Sequence, residues 1–222
     1  MGQHAVGGYT PFIFDISSFV DYGEDNQLTL LVDNRRKQAI PPDPGPFDYV
    51  KFSGLYRDVY LVETASMHIT FNIEALNAGV TISTPSVDPV NRNATVNIKT
   101  QVENESERAR TARVLNRVVD AEGNVVLKME QTKEISPGGK CMFNQTGGIE
   151  ENLHLWSLDD PYLYKVNTLV MEAGKPIDCI DNNLGIRKFE LDEEDGFRLN
   201  GEKVELIGFN RHQNYPYIGD AV

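Results

Sequence analysis

The chain has 222 residues, which exceeds one average domain and suffices for two small ones. Its hydrophobic content of 40% is ordinary for a globular protein, so a sizeable core can be buried. The formal net charge of −12 argues against a nucleic acid as a partner, because a polyanion would be repelled. No apolar run approaches the ~18 residues of a membrane span, and the N-terminal residues lack the basic and apolar segments of a signal peptide.

The two cysteines, Cys141 and Cys179, each stand in an apolar, strand-like context. They could form a disulfide, but two buried free thiols are the simpler interpretation. Together with four scattered histidines they supply too few ligands for a metal centre. The residues alone therefore predict no metal site, and they identify no cofactor.

Residues 1–63 are predicted to be strands joined by a long loop. The loop reads NRRKQAIPPDPGPFDYVKFSG and carries prolines at positions 41, 42, 44 and 46. Proline fixes φ and lacks an N–H donor, so regular structure is not expected there. A long loop on a β scaffold is often functional, and disorder is the alternative.

Residues 64–189 show the two-residue period of antiparallel strands. From Ala94 to Asn104 apolar and polar side chains alternate, which predicts a half-buried strand. Two further pairs of strands flank DAEGN and EAGKP, which have the composition of hairpin turns. The segment ERARTARVLNRVV resembles a helix at first sight, but its β-branched content and the hairpin after it favour a strand. Turn signals at this spacing are typical of an antiparallel sandwich.

Residues 190–222 begin with an acidic turn and continue as a hairpin around Asn200-Gly201, a pair that favours a type I′ turn. The apolar sequence VELIGFN follows and is predicted to be a strand. Directly after it come the polar side chains of RHQN. Polar density at the exit of an apolar strand is typical of a functional site.

Six separated stretches of the chain carry a resemblance to a known family. They are HAVGGYTPFIFDIS, NQLTLLVDN, FSGLYRDVYL, LWSLDDPYLYKV, GIRKFE and GFRLNGEKVELIGFNRHQNYP. Together, and in this order, they resemble glycoside hydrolase family 2, the family of β-galactosidases and β-glucuronidases. The resemblance runs from one end of the chain to the other.

The resemblance implies an all-β chain in three parts. Residues 1–63 would be the C-terminal half of a jelly-roll sugar-binding domain, and residues 64–189 an immunoglobulin-like β-sandwich. Residues 190–222 would be the entry hairpin and first strand of a truncated (β/α)8 catalytic barrel. A full barrel needs about 200 residues or more, so the chain is expected to be a fragment cut at both ends.

The resemblance also implies which chemistry is missing. Retaining glycosidases use two carboxyl groups about 5–5.5 Å apart. In this family both are glutamates on later barrel strands. We therefore expect no catalytic residue in this chain and no glycoside hydrolysis by the isolated polypeptide.

By the same resemblance, Asn210, Arg211 and His212 border a sugar pocket at the C-terminal end of the first barrel strand. His212 matches the histidine of the family's NRH motif, which implies hydrogen bonds to sugar hydroxyls and to the transition state, not proton transfer. A packed loop histidine is the alternative. Arg211 is expected to support the pocket by pairing with barrel carboxylates.

Asp48, in the proline-rich loop, is the second candidate for sugar binding. The resemblance implies that an acidic residue here reaches the active site and binds the 6-hydroxyl of the sugar, directly or through a monovalent cation. A carboxylate suits both tasks, because it accepts hydrogen bonds and supplies hard oxygen ligands. A solvated loop aspartate fits the sequence equally well. A monovalent cation or Mg²⁺ is thus implied by resemblance alone.

Two other functions remain open at this point. The chain could be a stand-alone, non-catalytic carbohydrate-binding or structural β-sandwich protein, or the same enzyme family could act on β-glucuronides or β-mannosides. NRHQNYP is similar to the β-galactosidase branch, so a β-galactoside is the expected carbohydrate partner. Neither a nucleic acid nor a membrane is expected as a partner. VELIGF would expose an unpaired apolar edge, and we therefore expect homo-oligomers.

Overall fold

The structure, a computed structural model, describes residues 1–5, 10–33, 35, 54, 55, 57–71, 78–194 and 196–210. All regular elements among these residues are β-strands, and every pairing between them is antiparallel. The predicted all-β class is therefore confirmed. In this part of the chain there is no helix that could cross a membrane.

The chain divides into two compact units. One comprises Met1–Val62 and Gly208–Val222, and the other comprises Glu63–Ile207. The sandwich and the hairpin that follows it thus share a unit. The three-part division of the chain remains a prediction.

Eleven strands lie in the second unit. They are β1 Met67–Ile69, β2 Val80–Asp88, β3 Asn93–Asn104, β4 Arg110–Val119, β5 Val125–Ile135, β6 Gly139–Ile149, β7 Tyr164–Glu172, β8 Lys175–Leu184, β9 Phe189–Asp192, β10 Gly196–Leu199 and β11 Glu202–Lys203.

Eight of these strands form two facing sheets. In the first sheet β3 pairs with β6 along one edge, while β1 and β2 share its other edge one after the other. The second sheet has the order β5-β4-β7-β8. A small third sheet, in the order β11-β10-β9, follows the sandwich.

The core lies between the two large sheets. Strand β3 alternates between buried and half-buried residues along its whole length, which confirms the strand predicted from Ala94 to Asn104. Its inward side chains meet those of β4, β6 and β7, and each such aliphatic or aromatic side chain contributes about 1.5–3 kcal/mol when fully buried. The fully buried members include Val96, Ile98, Val102, Val114, Val118, Phe143, Val166 and Val170.

The predicted hairpins are confirmed, and their turn residues have the positive φ that such turns require. Ala173 and Gly174 join β7 to β8 with φ of 46° and 80°, and Asn200 and Gly201 join β10 to β11 with φ of 52° and 87°. Both central residues have φ > 0, as in a type I′ turn. The segment ERARTARVLNRVV, for which a strand was favoured over a helix, contains β4.

The cysteine prediction is half right. Both thiols are free, but Cys141 is only half-buried and Cys179 is exposed. Cys179 lies on the edge strand β8 opposite Leu169, on the face that points away from the core. Periodicity alone does not say which face of an edge strand is covered.

In the described residues of 1–63, the expected strands are not paired. Residues 10–33 and 57–63 form turns and unpaired chain, and Leu31 and Leu61 are exposed. A strand is held by a ladder of hydrogen bonds to a neighbour, and no such ladder joins these described segments. The expected strand VELIGFN is corrected in the same way: among the described residues only Val204 continues the pairing, by its N–H bond to Phe197, and 205–210 form no ladder.

Candidate functional site

The hairpin β10–β11 precedes, in the chain, the segment in which sugar-binding residues were predicted. Its turn residue Asn200 does more than adopt a positive φ. The side-chain oxygen of Asn200 accepts the backbone N–H of Lys188 at 3.0 Å, and its amide donates to the carbonyl of Trp156 at 3.0 Å. The turn is therefore fastened to the end of the sandwich.

Trp156 is the second residue that holds the hairpin turn on the sandwich. The sequence LWSLDDPYLY favours a tryptophan that fills the sandwich core over one that stacks on a sugar, but the Trp156 side chain is only half-buried, so the core position is corrected. The Trp156 ring packs on Gly185, where an added Cβ would lie 3.0 Å from the ring. The guanidinium of Arg187 sits 5.0 Å from the ring centroid, a cation–π contact. Trp156 thus links the sandwich to the hairpin.

Beyond the hairpin the chain leads to Asn210. Val204 donates its N–H to the carbonyl of Phe197 at 2.9 Å, which extends the pairing by one residue past β11. Residues 205–210 are exposed, and the side chains of Ile207 and Phe209 keep 88% and 90% of their accessible surface. This apolar segment carries no contact that would explain its composition within the second unit.

Of the four residues predicted to bind sugar, one lies within the described part of the chain. Asn210 is described and exposed. Asp48, Arg211 and His212 lie outside the described residues, so their roles remain predictions.

An open groove of about 620 Å³ lies on the outer side of the second sheet. Its charged centre is Arg110, which donates hydrogen bonds from Nε at 2.7 Å and from a terminal nitrogen to the carboxylate of Glu172. The hydrogen bond from Arg110 lowers the pKa of Glu172 below its ordinary value, against the opposing effect of desolvation. Since the guanidinium is already paired and no lining residue is aromatic, the groove does not resemble a sugar site.

A second polar group lies in the connection between β6 and β7. The His154 ring stacks on Tyr162, with centroids 3.9 Å apart and planes 3° from parallel, and contacts the carboxylate of Asp160. Tyr164 accepts the N–H of His154 at 2.8 Å, and burial raises the pKa of its phenol. This group orders the connection between β6 and β7.

A third group is one that the sequence did not reveal. Metal-binding atoms of His68, Glu103 and Glu105, hereafter the His68 cluster, all lie within 4.8 Å of one another. Among the described residues, these are the three metal-binding side chains that the fold brings close together. His68 is far from the two glutamates in the chain, so spacing motifs gave no signal. Pairing of β1 with β3 brings them together.

The described architecture is that of an immunoglobulin-like sandwich module with a hairpin at its end. Residues 78–187 of the chain match the model of glycosyl hydrolases family 2. The chain belongs to this family, as its six sequence stretches predicted.

Relatives match the chain over its full length. A β-galactosidase of Thermoanaerobacter pseudethanolicus is 32% identical over 231 residues, which cover 100% of this chain and 28% of that protein. A β-glucuronidase of Bacteroides fragilis is 30% identical over 223 residues, which cover 100% of this chain and 31% of that protein. The chain thus spans less than a third of the length of these relatives.

A solved structure agrees with the fold. Bacteroides uniformis β-glucuronidase 2, covalently bound to cyclophellitol-6-carboxylate aziridine, superposes with a TM-score of 0.75 at 29% identity. The match covers 86% of this chain and 22% of that one.

Proposed function

We propose that this chain is the non-catalytic front part, with the barrel entrance, of a retaining glycoside hydrolase that acts on β-galactosides. One observation carries the proposal. The chain aligns over 100% of its length, at 32% identity, with 28% of a β-galactosidase. A free-standing sandwich module would not need the hairpin and the apolar segment that continue the alignment.

In this proposal the sandwich orients the entrance to the barrel. The hydrogen bonds of Asn200 to Lys188 and Trp156 fix the hairpin on the sandwich. The chain then runs through 204–210 as the first barrel strand. Ile207 and Phe209, exposed in this structure, would pack on the neighbouring elements of a barrel.

The polar residues after that strand would bind the sugar. Asn210 and His212 can donate to and accept from sugar hydroxyls, and Arg211 can hold barrel carboxylates in place. Asp48 would bind the 6-hydroxyl, directly or through a monovalent cation. Both catalytic glutamates would come from later barrel strands, so the 222 residues alone would not cleave a glycoside.

A β-glucuronide is the second candidate substrate. Two observations favour it: the relative from B. fragilis is a β-glucuronidase at 30% identity, and the B. uniformis β-glucuronidase superposes with a TM-score of 0.75. The two substrates differ at C6, where the glucuronide carries a carboxylate in place of a hydroxymethyl group, and in the configuration of the 4-hydroxyl. A pocket for the glucuronide needs a cationic partner for that group, whereas a galactoside pocket needs hydrogen-bonding groups.

The test is to express the whole reading frame that contains the chain and to compare it with the 222-residue polypeptide. We expect the longer protein to hydrolyse nitrophenyl β-galactoside with a kcat/KM at least about tenfold above that for the β-glucuronide. The 222-residue polypeptide should hydrolyse neither. In the longer protein, His212→Gln should lower kcat/KM for the galactoside, while His154→Gln in the connection between β6 and β7 should leave it unchanged.

Three results would contradict the proposal. A stop codon directly after Val222 would remove the barrel on which it depends. Turnover by the 222-residue polypeptide would place a catalytic pair within it. A preference of the longer protein for the glucuronide would replace the first candidate substrate by the second.

A further inference from the structure

We propose that the His68 cluster binds a divalent cation of the Zn²⁺ class and thereby fastens β1 to β3. The cluster lies within the second unit. The inference does not rest on the proposed function. It rests on the register of two strands, the tautomer of one histidine and the charge of two carboxylates.

Strand register places the three side chains on one face of the sheet. His68 on β1 lies directly opposite Glu103 on β3. Neighbours of His68 on either side, Met67 and Ile69, point into the core, so His68 projects from the outer face. Glu105 follows Glu103 by two residues, and its N–H bonds to the carbonyl of Ser66 at 2.7 Å, which continues the pairing. Glu103 and Glu105 therefore share the face of His68.

The histidine is buried and held in one tautomer. His68 keeps only 3% of its accessible surface although it lies on the outer face. Its Nδ1 lies 3.1 Å from the carbonyl oxygen of Ala65. A carbonyl can only accept a hydrogen bond, so Nδ1 carries the proton and neutral imidazole leaves a lone pair on Nε2.

Nε2 is the nitrogen that a cation would take. In the part of the chain that the structure describes, it has no hydrogen-bond partner. A histidine whose Nδ1–H is held by a backbone carbonyl is the usual arrangement for a metal ligand, because it fixes the ring and raises the basicity of the other nitrogen.

The two carboxylates supply more negative charge than the described residues around them neutralise. Glu103 forms an ion pair with Lys140 on β6, with 2.9 Å between Oε2 and Nζ. Glu105 makes no side-chain hydrogen bond or ion pair with any described residue. One ammonium therefore faces two carboxylates, and a divalent cation would relieve the remaining repulsion.

The mixture of ligands selects the class of cation. One imidazole nitrogen with two carboxylate oxygens suits Zn²⁺, whereas Ca²⁺ and Mg²⁺ prefer oxygen alone. With Zn–N and Zn–O bonds of about 2.0–2.2 Å, tetrahedral ligands lie about 3.2–3.6 Å apart. The exposed side chain of Glu105 can move by the ångström or so that this requires. Three protein ligands leave a fourth position for water.

The experiment is a titration of the chelator-treated chain with Zn²⁺, followed by isothermal calorimetry. We expect one site, and we expect His68→Gln and Glu105→Gln each to weaken it at least about tenfold. Glu107→Gln, an exposed acidic neighbour outside the cluster, is the matched control and should bind as the unaltered chain does. His154→Gln controls for the other described histidine beside a carboxylate. Ca²⁺ should bind at least about tenfold more weakly than Zn²⁺.

Cobalt provides an independent readout of the nitrogen ligand. Co²⁺ bound in the site should give visible absorption bands that are lost in His68→Gln. If His68→Gln fails to fold, as far-UV circular dichroism would show, Glu105→Gln decides the matter, because this side chain is exposed. Equal Zn²⁺ affinity of the unaltered chain and Glu105→Gln would overturn the proposal. So would the absence of binding at 100-fold excess Zn²⁺, loss of binding in His154→Gln, or Ca²⁺ binding as tight as that of Zn²⁺.

Discussion

The carboxylate of Asp178 accepts the backbone N–H of Ile69 at 2.7 Å. Asp178 lies on β8 of the second sheet and Ile69 on β1 of the first, so this bond joins the two sheets. Next to β1, the backbone of Ser66 accepts the N–H of Glu105, and Thr70 donates its N–H to the carbonyl of Gln101. In an antiparallel pair every second residue bonds to the neighbouring strand. Ile69 lies between those residues, so its N–H points away from β3 and would be an unpaired edge donor without Asp178.

Replacing Asp178 should destabilise the sandwich. Asp178→Ala leaves the N–H of a residue with 2% exposure without an acceptor, and we expect a loss of about 1.5–3 kcal/mol in the free energy of unfolding. Asp178→Asn keeps an oxygen acceptor and should lose less. Urea denaturation followed by circular dichroism measures both values.

Asp181 on the same strand is the matched control. Its carboxylate accepts a hydrogen bond from the exposed side chain of Asn167 at 2.7 Å. Asp181→Ala should therefore change the free energy of unfolding by less than about 0.5 kcal/mol. Equal losses for Asp178→Ala and Asp181→Ala would show that the hydrogen bond between the sheets stabilises the fold no more than the hydrogen bond of Asp181 does.

The pair of Arg110 and Glu172 should make stability depend on pH. The pKa of Glu172 is lowered in the folded chain, chiefly by the hydrogen bond from Arg110, so its ordinary value of 4.5 applies only to the unfolded chain. Its contribution is then fully present above pH 4.5 and is lost as the pH falls through the lower folded pKa. We expect a loss of about 1 kcal/mol, since the pair is bidentate but partly exposed.

Unfolding measured from pH 7 to pH 3 tests this dependence. The difference in unfolding free energy between the unaltered chain and Glu172→Gln should be constant above about pH 5 and shrink below it. Glu130→Gln is the control, because Glu130 lies 3.8 Å from Arg113 and both side chains are about half exposed. If the difference in unfolding free energy for Glu172→Gln stayed constant down to pH 3, the pair of Arg110 and Glu172 would not be the source of the pH dependence.

The turn between β10 and β11 offers a test of backbone strain at a position where an added side chain meets no neighbouring atom. An added Cβ at Gly201 would meet no atom within 4 Å, but its φ of +87° is one that alanine rarely adopts. We expect Gly201→Ala to cost about 1–2 kcal/mol. Gly208, also open but without a positive φ, is the control: Gly208→Ala should be neutral or slightly stabilising. Thermal denaturation of both variants measures the difference, and equal melting temperatures would refute it.

Exposed apolar side chains after the hairpin should drive self-association of the isolated chain. Ile207→Asp combined with Phe209→Asp removes the largest of them and should lower the average mass seen by sedimentation equilibrium. Val90→Asp is the control, because Val90 is equally exposed but stands alone in the turn between β2 and β3. A chain that stays monomeric at high concentration, before any substitution, would refute the prediction.

Much of the sandwich was predictable because local patterns and tertiary packing agree there. The alternation from Ala94 to Asn104 sorts side chains into an inner and an outer face, and β3 buries the inner one. The Asn200-Gly201 pair predicted its turn, because few residues tolerate two successive positive φ angles. What the pattern could not show is that the Asn200 side chain also binds Lys188 and Trp156, since those partners are distant in sequence.

The sequence by itself determined the all-β class, the hairpins and, through six ordered stretches, the family. Only the tertiary structure decided which outer faces are covered, that Trp156 lies at the end of the sandwich, and that His68 meets Glu103 and Glu105. The physical reason is that periodicity is a local property of a strand. The partner of an edge strand, and the side chains that register brings across it, depend on contacts between segments far apart in the chain.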